Sequence, residues 1–105
     1  MRDWGTTING ENFSQAIVDI VWKKAYLAQG YDSNIYRRDV VGYLIKKDEY
    51  GNTSSRLGWE IDHIHPVSKN GSDELINLQP LQWSNNRDKE NELMNEWLPR
   101  KVGFY

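Results

Sequence analysis

At 105 residues the chain is long enough for one compact domain and too short for two. Its make-up, 38% hydrophobic and 27% charged, is that of an ordinary globular protein, and its apolar runs are too short to span a membrane. The absence of cysteine excludes disulfides and thiolate-held zinc and fits a cytoplasmic location, while a net charge of −2 counts against a broadly basic polyanion binder.

Residues 1–11 mix Gly, Thr, Asn and charges without periodicity, which reads as a frayed end lacking the apolar core of a secretory signal. From Phe13 to Ala28 apolar residues crowd together. Phe13, Ala16, Ile17, Ile20 and Leu27 follow helical spacing, with Asn12 as N-cap and Gly30 as stop. Val18, Ile20 and Trp22 also alternate in a β-branched stretch, so a strand competes with the helix, which we prefer. GYDSN (30–34) is turn chemistry, Arg37 and Arg38 follow, and VVGYLI (40–45) reads as a short strand interrupted by glycine. Residues 46–49 are solvated charges and 50–58 a loop.

Trp59–Ile64 alternates apolar and polar residues as a strand does, and Pro66 ends it. KNGSD (69–73) is a turn, Leu75–Leu81 returns as a second strand, and Pro80 marks its end or an open edge. Ser84 then caps a helix from Asn85 to Trp97 that buries Leu93, Met94 and Trp97, and Leu98-Pro99 stops it. Most of the five Trp and six Tyr are expected in the core, where each buries a large area.

Both histidines fall in this last stretch. If hairpin and helix pack together, Asp62 and Asn86 offer two hard oxygens to one divalent cation; such a donor set selects Mg²⁺ or Mn²⁺ and leaves room for water and phosphate oxygens. His63 follows Asp62 and titrates near neutrality, so it can take a proton from water. A metal and a base flanking a phosphodiester are the elements of hydrolysis. Alternation sends Asp62 and His63 to opposite faces, so the strand must bend or the metal lie at its edge.

DHIHP (62–66), Asn77-Leu78 and NNRDK (85–89) in this order resemble the HNH endonuclease family, with 14 residues from His63 to Asn77 and 9 from Asn77 to Asn86. YRRDVVG and GWEIDH upstream are also similar to small phage and bacterial HNH proteins. The resemblance implies an α+β fold: a ββα-metal (His-Me finger) core over about residues 57–98, with an N-terminal α/β extension, in one nuclease domain spanning 1–105. It implies a Mg²⁺-dependent endonuclease, with Mn²⁺ able to substitute, that hydrolyses DNA and leaves 5′-phosphate and 3′-hydroxyl ends. His63 would be the general base, Asp62 and Asn86 the metal ligands, Asn77 a hydrogen-bonded brace of the inter-strand loop, and Lys89 a phosphate contact. Arg87, Arg37, Arg38 and Lys69 are further nucleic-acid candidates. His65 is an additional site residue or a surface residue before proline; Glu60 is a reserve ligand or, as we prefer, a solvated charge.

The chain departs from the family pattern in two places. Asn86 stands where the last histidine would be, which favours Mg²⁺. Gln82 and Asn85 stand where a CxxC pair would hold structural zinc, so no such zinc is expected, and Trp59, Trp83 and Trp97 are expected to supply that stability. With so little chain outside the core, sequence specificity is expected only from a homodimer or a larger nuclease or packaging complex. The competing expectation is a DNA-binding module that keeps the hairpin without turnover.

Overall fold

A computed structural model describes residues 2–103. The fold is α+β: helix α1 (Gln15–Trp22), strands β1 (Tyr26–Leu27), β2 (Tyr36–Arg38) and β3 (Leu44–Lys46), the hairpin β4 (Trp59–His63) and β5 (Leu78–Gln82), and helices α2 (Trp83–Lys89) and α3 (Met94–Val102). The first three strands form one antiparallel sheet and the hairpin a second. No helix among the described residues is long and apolar enough to cross a membrane.

The N-terminal end is not frayed. Thr6 is buried and bridges to Asn12, its hydroxyl donates to the Asp3 carbonyl at 2.6 Å, and the Arg2 guanidinium donates to the Thr6 carbonyl at 2.8 Å. Gly5, at φ +69°, lies so close to Glu60 that a Cβ would sit 3.4 Å from that side chain's Cβ. Turn-forming residues here satisfy one another and let the segment lie flat on β4.

α1 is shorter than its pattern promised. Ser14, not Asn12, caps it by accepting from the Ile17 N–H, and it ends at Trp22, well before Gly30. Tight-turn bonds from Lys24 to Val21 and from Ala25 to Trp22 close it, and β1 follows. Val18, Val21 and Trp22 pack with Ala25, Ile45, Trp59, Ile61 and Leu78 to make the core. The Trp22 and Trp59 rings lie 5.3 Å apart, and each indole N–H reaches a backbone carbonyl.

The strand expected over 40–45 begins only at Leu44. The buried Asp39 carboxylate holds the preceding turn: Oδ1 accepts from the N–H groups of Val41, Gly42 and Tyr43 at 2.9–3.0 Å, and Gly42 takes φ +101°. These side-chain bonds displace a sheet ladder. Oδ2 accepts from Gln82 N and Asn85 Nδ2, both at 2.9 Å, and so ties the turn to the start of α2. Asp39→Asn would face those two donors with an amide group; the expected cost is about 1–3 kcal/mol, read as a lowered midpoint in urea unfolding.

β4 and β5 pair from Trp59↔Gln82 to His63↔Leu78. Pro80 sits in mid-strand opposite Ile61, which a two-stranded sheet tolerates because each strand has an open side. Leu75–Asn77, expected in the strand, is a 3₁₀ turn leading into it. The helix expected as one piece from Asn85 to Trp97 is two. Gln82, not Ser84, caps α2 by accepting from Ser84 and Asn85 N–H. Glu90 reverses the chain at φ +49°, and α3 carries Pro99 inside it instead of stopping there. The reversal lets the Trp97 indole donate to Asp88 at 2.9 Å. In one straight helix these residues would stand about 13 Å apart along the axis.

Candidate active site

All five residues of β4 are buried, so the period-two pattern reflects two covered faces, not a wet one and a dry one. Trp59 and Ile61 face the core; Glu60 and Asp62 face α2. The first turns of α2 bring Asn86 over the same strand. Asp62, His63 and Asn86 line one cavity of about 40 Å³, walled also by Arg2, Trp4 and Pro66. The Asn86 amide nitrogen donates to Glu60 Oε1 at 3.0 Å, which leaves its carbonyl oxygen as the free donor atom.

Asp62 is 5% exposed. Gln79 Nε2 donates to its Oδ2 at 2.9 Å and Lys89 Nζ to its Oδ1 at 3.2 Å. Burial pushes its carboxyl pKa up, and the Lys89 ammonium pulls the other way. Lys89 is fully enclosed, at 0% exposure, and also donates to the His63 carbonyl at 3.0 Å. The family resemblance implied a phosphate contact for Lys89; the structure turns it inward, because α2 packs directly on β4 and Asp62 is the counter-charge within reach. Glu60, read as solvated, is buried and accepts from Asn86 and, at 3.4 Å, from Arg87.

His63 is 4% exposed, with Nε2 2.8 Å from Asp73 Oδ1 and the Phe13 ring 6.0 Å from its own. Asn77 spans the loop between the hairpin strands: Oδ1 accepts from His65 N at 2.8 Å, and Nδ2 donates to the carbonyls of His65 and Ser72 at 3.1 and 2.8 Å.

Residues 46–92 match the family model described as HNH endonuclease. This segment belongs to the HNH endonuclease family. No curated protein and no solved structure matches the chain. The HNH segment runs from the end of β3 past α2 and contains Asp62, His63, Asn77 and Asn86. Arg2, Trp4 and Phe13, which wall the cavity or touch His63, lie outside it.

Around this HNH core most of the basic candidates are occupied. Arg37 donates to the carbonyls of Ser33 and Ala25, Arg38 to that of Gly42, and Lys69 to that of Asn91. Arg87 pairs with Glu60 and lies between the Trp4 and Trp83 rings, 5.5 and 5.6 Å from their centroids. None of these four lines the cavity. His65 is exposed, with Nε2 on the Lys69 carbonyl at 2.7 Å and away from the cavity. Where a CxxC pair would sit, Gln82 caps α2 and Asn85 bonds Asp39. Among the described residues no three His, Cys, Asp or Glu side chains converge as a metal cage.

Sequence reasoning passed over Asp73, Asp39 and Arg2. Asp73 has a sequence signal, its place in the turn between two site residues, although within KNGSD it reads as turn chemistry alone. Arg2 carries none, and Asp39 only its place in YRRDVVG.

Proposed function

We propose that the chain is a divalent-metal-dependent endonuclease that hydrolyses DNA phosphodiesters by a one-metal mechanism, the whole chain acting as a single nuclease domain. The observation that carries this reading is the convergence of Asp62, His63 and Asn86 on one cavity within an HNH segment. The donor set fits a hard cation such as Mg²⁺, with Mn²⁺ as substitute: a carboxylate whose oxygens each keep a lone pair beside the Gln79 and Lys89 bonds, a carboxamide oxygen freed by Glu60, and space on the order of one water or ion. Asp62 and Asn86 would hold it, and it would supply charge stabilisation at the phosphoryl and leaving oxygens.

The chain's own groups supply the rest. His63 takes the proton from the attacking water. Lys89 favours the ionised form of Asp62, opposing the desolvation that raises its pKa. Asn77 ties together the loop that follows His63, so the base and the ligand-bearing strand keep one geometry. Arg37, Arg38 and Lys69 are engaged on backbone carbonyls, and so is Arg2, the one Arg or Lys that lines the cavity among the described residues, which leaves a modest cationic grip on phosphate beside the site. Binding to DNA by the protein alone is therefore weak and indifferent to sequence.

The test is nicking of supercoiled plasmid with Mg²⁺, with Mn²⁺ and with chelator, beside Asn86→Ala. We expect metal-dependent nicking, abolished by chelator and reduced at least tenfold in the variant at limiting metal. Nicking that ignores both chelator and Asn86→Ala would sink the proposal. Retardation of DNA by both proteins without cutting would establish the binding module in its place.

A further inference from the structure

His63 carries two ring nitrogens, and the geometry assigns them different tasks. Nε2 lies 2.8 Å from Asp73 Oδ1. An ionised carboxylate only accepts hydrogen bonds, so in the neutral ring the proton must reside on Nε2 and the lone pair on Nδ1. The Phe13 ring beside the imidazole restricts its tilt.

Asp73 is itself held. The Ile8 N–H donates to both of its oxygens, at 3.1 and 3.2 Å, from a segment 65 residues away in sequence. Asn77 accounts for the other side of the loop, through its bond to the Ser72 carbonyl. The carboxylate is therefore fixed from the N-terminal segment and from the hairpin loop together. It is about one-third exposed, while its histidine partner is enclosed.

We infer that Asp73 is a positioning residue for the hydrolytic base: it holds the His63 imidazole with Nε2–H outward and presents Nδ1 as the atom that takes the proton from water. The Ile8 peptide makes the N-terminal segment part of that support. When Nδ1 gains the proton, the positive ring lies against the Asp73 carboxylate, so the contact strengthens as reaction proceeds, which is the condition for raising turnover instead of affinity. This assignment rests on the reading of His63 as the base.

Two measurements on the wild type, Asp73→Ala and Asp73→Asn test it. The first is the ¹⁵N signature of the His63 ring on the alkaline side of imidazole titration. The wild type should show the Nε2–H tautomer, Asp73→Ala a mixture of tautomers, and Asp73→Asn, which keeps an acceptor, a largely retained Nε2–H form. The second is nicking kinetics with Mg²⁺ at matched folded fraction. Asp73→Ala should lose about 10- to 100-fold in kcat with KM within about twofold, and Asp73→Asn should recover part of that loss. An unchanged ring signature in Asp73→Ala, or kcat within twofold of wild type, would overturn the inference. A wild type with no metal-dependent nicking would overturn the nuclease reading and the positioning role together. An active wild type with an indifferent Asp73→Ala would overturn the positioning role alone.

Discussion

Replacing His63 by alanine is expected to lower metal-dependent nicking by about 10²- to 10⁴-fold, the range that a positioned general base contributes. Of the chain's two histidines, only His63 lines the cavity with Asp62 and Asn86. Its ring is enclosed and bonded at one nitrogen, so the other is the one left for water. The substitution also leaves the Asp73 carboxylate with only the Ile8 N–H, which is a modest loss at a partly exposed position and should leave the protein folded. His65→Ala is the matched control. That ring is exposed on the Lys69 carbonyl, and nicking should stay within about threefold of wild type. If His63→Ala cut as well as wild type, the base would lie elsewhere or the activity would belong to a contaminant. If His65→Ala carried the loss instead, the assignment of the two histidines would be reversed.

The second large effect falls on stability. Lys89→Met removes the ammonium that faces Asp62 inside the protein and leaves a buried carboxylate with Gln79 as its remaining donor. Breaking a buried ion pair from one side costs about 3–5 kcal/mol, because the surviving charge keeps no counter-ion in a largely desolvated site. The Lys89→Met/Asp62→Asn double substitution neutralises both partners at similar volume and should recover most of that loss. Urea unfolding of the wild type, both single variants and the double variant measures the coupling. Additive losses in the double variant would show that the pair contributes nothing beyond its separate residues, and a Lys89→Met variant within 1 kcal/mol of wild type would show the ammonium to be dispensable to the fold. A residue on the surface facing phosphate would give the opposite result: little change in stability and a weaker grip on DNA.

The hairpin was the most legible part of the chain, because its signals are local. Alternation at Trp59–His63, the Asn-Gly turn and a returning strand, expected from Leu75 and found from Leu78, each follow from neighbours in sequence, and the observed register pairs the two strands along their length. The helix after the hairpin was legible at its start and not at its end. No residue between Glu90 and Leu93 is a strong helix breaker, and the reversal there is decided by Trp97 reaching back to Asp88. The first helix was over-read for a related reason. Apolar residues at Ala25 and Ala28 do pack inside, but from either side of the short strand β1 that follows the turn after Trp22.

The sequence by itself determined that residues 59–89 form a strand, a loop, a strand and a helix start, and which oxygen- and nitrogen-bearing side chains that unit could gather, since period, turn chemistry and spacing are properties of neighbouring residues. Only the tertiary structure decided what each of those side chains faces. Lys89 points to Asp62 and not to solvent, Glu60 turns the Asn86 amide, and Asp73 meets His63. It also decided that Asp39 ties its turn to α2 across 43 residues and that Ile8 holds Asp73 across 65. Such contacts leave no periodic trace, because a hydrogen bond between distant segments constrains two positions and not the pattern around either of them.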